Sequence, residues 1–88
     1  MKVIANNDVL EFLRDYELKN KKVARIKLAD ACCGMIEPEV VFDVQRDDDV
    51  CYEIDGVKFL IKKEYDFLIN IVRLERTAFG VDIQRDFI

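Results

Sequence analysis

The sequence predicts a β-rich α+β fold: a compact domain of mixed β-sheets with an N-terminal helix and a short helix after a central hairpin. Three observations carry this. Val9, Phe12, Leu13 and Tyr16 fall at i, i+3, i+4 and i+7, which puts one apolar stripe on a helix. Val23 to Ala29 and Glu39 to Gln45 alternate apolar with polar residues, the period of half-buried strands. Between Val50 and Ile61, two alternating runs flank Asp55-Gly56, a pair suited to both positive-φ positions of a two-residue type I′ turn.

Taken in order, Asp8 is placed to cap the first helix, with Glu11 three residues on completing a capping box. The helix is expected to fade near Leu18, with Lys19-Asn20-Lys21-Lys22 as a solvated connector. In the first strand Ala24, Ile26 and Leu28 share the inner face, and Arg25 and Lys27 the outer one. Pro38 cannot donate to a ladder, so Glu37-Pro38 is expected to close the following loop. Val40, Phe42 and Val44 then point inward. Arg46-Asp47-Asp48-Asp49 reads as a solvated turn, because the alternating spacing and final glutamate of a calcium loop are missing.

The Asp55-Gly56 turn fixes a register that sets Ile54 against Val57, Tyr52 against Phe59 and Val50 against Ile61 on the inner face. Glu53 then meets Lys58, and Cys51 meets Leu60, on the other face. Cys51 is read as a packed strand residue, since free cysteine behaves as a small hydrophobe. A short helix over Lys63 to Ile69 presents Tyr65, Leu68 and Ile69. Strands through Val72-Leu74 and Val81 to Gln84 follow, joined by a turn at Ala78-Phe79-Gly80. A single domain over residues 1–88 is expected, with no internal repeat.

Composition bounds the function. The net charge is −4, and an acidic chain argues against nucleic-acid binding, which needs a basic patch. No run approaches the roughly 20 apolar residues of a membrane span, and no signal-peptide pattern opens the sequence, so a cytoplasmic protein is expected. Three cysteines, two of them adjacent, do not make a disulfide framework. There is no histidine, which removes the commonest general base and metal ligand. A cysteine nucleophile would lack its base, and no glycine-rich phosphate loop occurs among three glycines. Asp43, Glu64, Asp66 and Asp82 fall at solvent positions. A non-enzymatic protein is the expectation.

The remaining candidate is the stretch from Arg25 to Met35, a strand that runs into Ala31-Cys32-Cys33-Gly34-Met35. Cys32 and Cys33 are the candidate metal- and cofactor-binding residues, and either should react with thiol reagents faster than Cys51. Asp30 and Glu37 lie nearby and oppose thiolate formation, with Lys27 the one close counter-charge. The same pair is also readable as an inert, partly buried turn, as a redox thiol pair, or as a strained vicinal disulfide.

Arg25-Ile26-Lys27-Leu28 followed by Ala31-Cys32-Cys33-Gly34-Met35 resembles the first cysteine region of the HesB-like, A-type iron–sulfur carrier family. Asp49 to Ile61 resembles that family's acidic turn and hairpin, and Val72-Arg73-Leu74-Glu75 and Phe79-Gly80 continue the likeness. The resemblance implies a compact domain of mixed sheets. It further implies iron or an iron–sulfur cluster as cofactor, in iron–sulfur cluster biogenesis, with assembly or recipient proteins as partners. Only Cys32 falls on a family ligand position; Cys33 stands in a serine's place. The family's C-terminal cysteine-glycine-cysteine tail is not found before Asp86-Phe87-Ile88. Since clusters generally take four thiolates, a homodimer would supply Cys32 and Cys33 twice. The alternative is a cofactor-free interaction module that retains the fold without metal.

Overall fold

The computed structural model describes residues 1–30 and 36–84. In chain order these form β1 (Lys2–Ile4), α1 (Asn7–Asn20), β2 (Val23–Asp30), β3 (Ile36–Asp43), β4 (Asp49–Ile54), β5 (Val57–Lys62), α2 (Lys63–Asp66), β6 (Ile71–Thr77) and β7 (Gly80–Ile83). One sheet has the order β1-β6-β7 and the other β3-β2-β5-β4. Both are mixed, since β1 runs parallel to β6 and β2 parallel to β5. The expected β-rich architecture with two helices is therefore the one observed.

Each helix boundary has a local cause. Asn6, rather than Asp8, caps α1: its side chain accepts from the Val9 amide at 3.0 Å, while Asp8 lies in the first turn, where its charge suits the helix dipole. The helix runs two residues past Leu18. It stops where Lys21 turns left-handed (φ 56°) and donates its amide to the Glu17 carbonyl at 2.7 Å. The second helix ends at Asp66, short of the expected Ile69, and leaves Leu68 exposed while Tyr65 and Ile69 pack against the core.

The central hairpin has the anticipated register at every pair from Val50↔Ile61 to Ile54↔Val57. Asp55 (φ 49°) and Gly56 (φ 82°) both adopt the positive φ that a type I′ turn requires. Pro38 does not end the loop before it; β3 already starts at Ile36 and runs through the proline. This is allowed because β3 is an edge strand, where a missing N–H costs no ladder bond. Val44 falls beyond the end of β3 and is exposed, not inward as expected.

The core forms where α1 and the two sheets meet. Val9, Leu10 and Leu13 from α1 pack with Ala24, Ile26, Val57, Phe59 and Ile61 of the four-stranded sheet and Val72, Leu74 and Ile83 of the three-stranded one. Phe12, Tyr16 and Phe42 add a stacked aromatic edge, with Tyr16 and Phe42 centroids 3.9 Å apart.

Candidate functional site

The β2–β3 hairpin flanks residues 31–35 in the chain. Its ladder runs without a break from Val23↔Asp43 to Leu28↔Pro38, Ala29↔Glu37 and Asp30↔Ile36, eight consecutive pairs. Residues 31–35, with Cys32 and Cys33, lie outside the described residues, so the two candidate ligands are known here only by the hairpin that leads into and out of them. Beside the distal half of that hairpin is an apolar groove of about 630 Å³, lined by Leu28, Pro38, Leu68, Ile69, Asn70 and Ile71. Leu68 and Ile71 of this lining are exposed, as is Phe67 in the same α2–β6 connection.

The opposite end of β2 carries a cluster that the sequence reading assigned to solvent. Register places Val41, Arg25, Leu60 and Cys51 in one row across the outer face of the four-stranded sheet. Arg25 is only 6 % exposed, and Leu60 is fully buried. The guanidinium grips Asp49 with two bonds, Nη1 to Oδ1 at 2.5 Å and Nη2 to Oδ2 at 2.6 Å. It also donates from Nε to Asp43 at 3.1 Å and from Nη2 to the Val44 carbonyl at 3.2 Å. The Asp49 side chain has no exposed area, and its Oδ2 also accepts from the Arg46 amide at 2.7 Å. Arg46 to Asp49 does form the expected turn, closed by the Asp49 amide donating to the Arg46 carbonyl at 3.1 Å, but Asp49 ends it as a buried anion and the first residue of β4 rather than as a solvated one.

The chemistry of this cluster follows from its bonds. The Arg25 guanidinium holds the Asp49 carboxyl below its ordinary range, with the Arg46 amide adding to the effect. Asp43 is lowered mainly by the Val44 amide, and its carboxylate is partly buried rather than free in solvent. Asp66 is lowered by the Tyr52 hydroxyl, which donates to it at 2.5 Å, and the same bond raises the Tyr52 phenol. Carboxylates held ionised in this way are poor proton donors at neutral pH. The Arg25 cluster therefore serves as a clasp across β2, the β3 end and β4.

Cys51 corrects a second expectation. It occupies the predicted strand and pairs with Leu60, but it is exposed. It sits on an edge strand, where its thiol is open to solvent although Leu60 and Arg25 in the same row are buried. Its row partner on β2 is Arg25, five residues before the strand ends at Asp30, about 17 Å at the usual strand rise. Two further strand spacings separate β4 from β2, so Cys51 does not belong with the cysteine loop. We expect Cys51 to be alkylated by iodoacetamide in the folded protein, at a rate unchanged by urea below the unfolding transition. Labelling read by mass spectrometry only after unfolding would contradict its exposed position.

Among the described residues, no group of three or more cysteine, aspartate or glutamate side chains is arranged to hold a metal ion. None of the described helices is long and apolar enough to cross a membrane.

The arrangement is that of the A-type carrier fold, as the sequence resemblance implied. The chain superimposes on Escherichia coli SufA, a protein involved in biosynthesis of iron–sulfur clusters, with a TM-score of 0.74 at 15% identity, over 94% of this chain and 77% of that one. It matches IscA, in a structure with the [2Fe-2S] cluster, with a TM-score of 0.67 at 14% identity, covering 93% of this chain and 81% of that one. A protein from Aquifex aeolicus aligns at 0.61 and 18% identity, over 98% and 96% of the two chains. No protein-family model matches the sequence, and no curated protein matches it. At these identities the likeness is one of fold.

Proposed function

We propose that this protein is a non-enzymatic, cytoplasmic HesB-like protein that binds iron or an iron–sulfur cluster through Cys32 and Cys33. In this reading it takes part in iron–sulfur cluster biogenesis, with the cluster as cargo passed between assembly and recipient proteins. One observation carries the reading: a chain with the fold of SufA and IscA has its adjacent cysteines in the connection of a hairpin paired right up to residues 30 and 36.

The donor set sets the stoichiometry. Thiolates suit iron–sulfur clusters, which generally take four of them. The sequence has three cysteines and no histidine, and Cys51 is too far along β2 and β4 to join the other two. One chain therefore brings two thiols to the loop, and two chains bring four. The cluster is held between two copies, and the apolar groove beside the hairpin provides surface for the second copy to cover.

Anaerobic reconstitution with ferrous iron and sulfide tests this. The expected result is a visible chromophore that forms together with a dimer and is lost in Cys32→Ala. A folded, monomeric and colourless protein would overturn it. That outcome would leave the second reading, a cofactor-free interaction module, which the exposed Phe67, Leu68 and Ile71 favour.

A further inference from the structure

Beside the Arg25 clasp lies a cavity of about 410 Å³ whose lining runs from β3 across β2 to the point where β5 hands over to α2. It gathers four cations from three parts of the chain: Arg25 and Lys27 of β2, Arg46 of the β3–β4 connection and Lys62 at the end of β5. We infer that this cavity binds a small phosphate monoester, with the phosphate among the cations and the organic part against Tyr65 and Val41. The inference does not rest on Cys32 or Cys33.

The charge in the cavity is not neutralised by the fold. The chain as a whole carries −4, yet the one carboxylate in this lining is Asp43. That carboxylate is already used: it accepts from Arg25 at 3.1 Å, from the Val44 amide at 2.8 Å and lies 3.4 Å from the Arg46 guanidinium. Arg25 has 7 % of its side chain exposed and makes four hydrogen bonds. A guanidinium has five N–H groups, so one, on Nη1, is left without a partner among the described residues. A buried cation with a spare donor on a cavity wall is a group in want of an acceptor. Lys27 has no ion pair among the described residues, although Glu39 stands opposite it on β3. Lys62 comes only within 3.8 Å of Glu64, beyond hydrogen-bond length, and both are well exposed. Asp47 and Asp48 follow Arg46 in the chain but do not line the cavity.

The ligand class follows from this donor set. A phosphate monoester carries close to two negative charges at neutral pH and offers three terminal oxygens. Cations arriving from β2, β5 and the β3–β4 connection suit three such oxygens, with lysine acting as a point charge and arginine as a fork. A carboxylate has one charge and two oxygens, which a single arginine satisfies. The volume falls in the range of small-molecule sites and exceeds what a bare phosphate fills, and Tyr65 and Val41 give it an apolar side. Four cations in one hollow do not make the extended basic track that a nucleic-acid strand needs.

The test titrates the isotope-labelled protein with phenyl phosphate at about 0.15 M salt, where loose surface attraction is screened. Saturable amide shifts are expected at residues 25–28, 41–46 and 62–65. Benzoate, which has the ring but a single carboxylate, should bind about tenfold more weakly. Lys27→Gln and Lys62→Gln should each lower the affinity for phenyl phosphate about tenfold, the scale of one charge-assisted contact. Lys58→Gln removes a lysine from β5 that lies outside this cavity, and it should leave the affinity unchanged. Lys27 and Lys58 are exposed and Lys62 is partly so, so all three variants should keep the amide spectrum of the folded protein. The absence of saturable shifts, shifts scattered over the surface lysines, equal affinities for phenyl phosphate and benzoate, or unchanged affinity in Lys27→Gln and Lys62→Gln would each overturn the proposal.

Discussion

Replacing Phe59 by alanine should destabilise the protein by about 3–5 kcal/mol, the range for emptying a fully buried aromatic site. Phe59 has no exposed area, and it lies in the middle strand pair of the hairpin, opposite Tyr52 on β4 and Ala24 on β2. Ala24 is too small to close over the vacancy, and Tyr52 is held by its bond to Asp66. The cavity should therefore persist rather than collapse. Urea denaturation is the appropriate measurement, and a midpoint shift with an unchanged slope is the expected form. A loss well under 1 kcal/mol would mean that the core is not centred on this hairpin.

The second large effect belongs to Asp49. Asp49→Ala removes the main partner of a guanidinium that remains buried, and breaking such pairs costs about 3–5 kcal/mol. The bonds from Arg25 to Asp43 and the Val44 carbonyl survive, which puts the expectation near the lower end of that range. Replacing both partners, Arg25→Met with Asp49→Leu, should recover most of the loss, since apolar replacements of buried ion pairs are often neutral. Asp48→Ala, one residue away and exposed, should do little.

The same pair predicts a pH dependence. The Asp49 pKa is lowered in the folded state relative to an unfolded carboxylate near 3.9. Its contribution is then fully present above about pH 4 and is lost as the pH falls through the lower, folded value. Asp43 and Asp66 act with the same sign. Stability should fall below about pH 4 in the wild type, and the fall should be shallower in Asp49→Ala. An identical acid limb in the two proteins would contradict the clasp.

How much of this was legible in the sequence depends on how far apart the interacting residues lie. The hairpin around Asp55-Gly56 could be read completely, because turn chemistry and alternation are local and agree at each pair. The α1 stripe was legible for the same reason. Strand β1 was not: three residues show no period, and its partner β6 is far along the chain. The burial of Arg25 and Asp49 was hidden because it depends on the parallel pairing of β2 with β5, which brings β4 within reach. Alternation alone puts Arg25 on the outer face, correctly, yet says nothing about whether that face is wet. The mismatch of Leu60 on that face was the available signal, since a buried leucine among charged neighbours needs a cover. Cys51 was misread in the converse way, its strand placement being correct and its burial wrong. Pro38 reads locally as the end of a loop, with the strand starting only after it, because nothing local marks β3 as an edge strand. The cysteine pair stands out by sequence and by resemblance, and the structure adds the paired strands that flank residues 31–35 and the groove beside Leu28 and Pro38.

The central claim is that cluster binding requires two chains meeting through Cys32 and Cys33. Native mass spectrometry of the anaerobically reconstituted protein reads this directly, because the mass gives chains, iron and sulfide together. The account predicts that iron and sulfide appear only on a species of two chains, and that Cys32→Ala yields no iron-bearing species. Iron and sulfide carried by a single chain would contradict it.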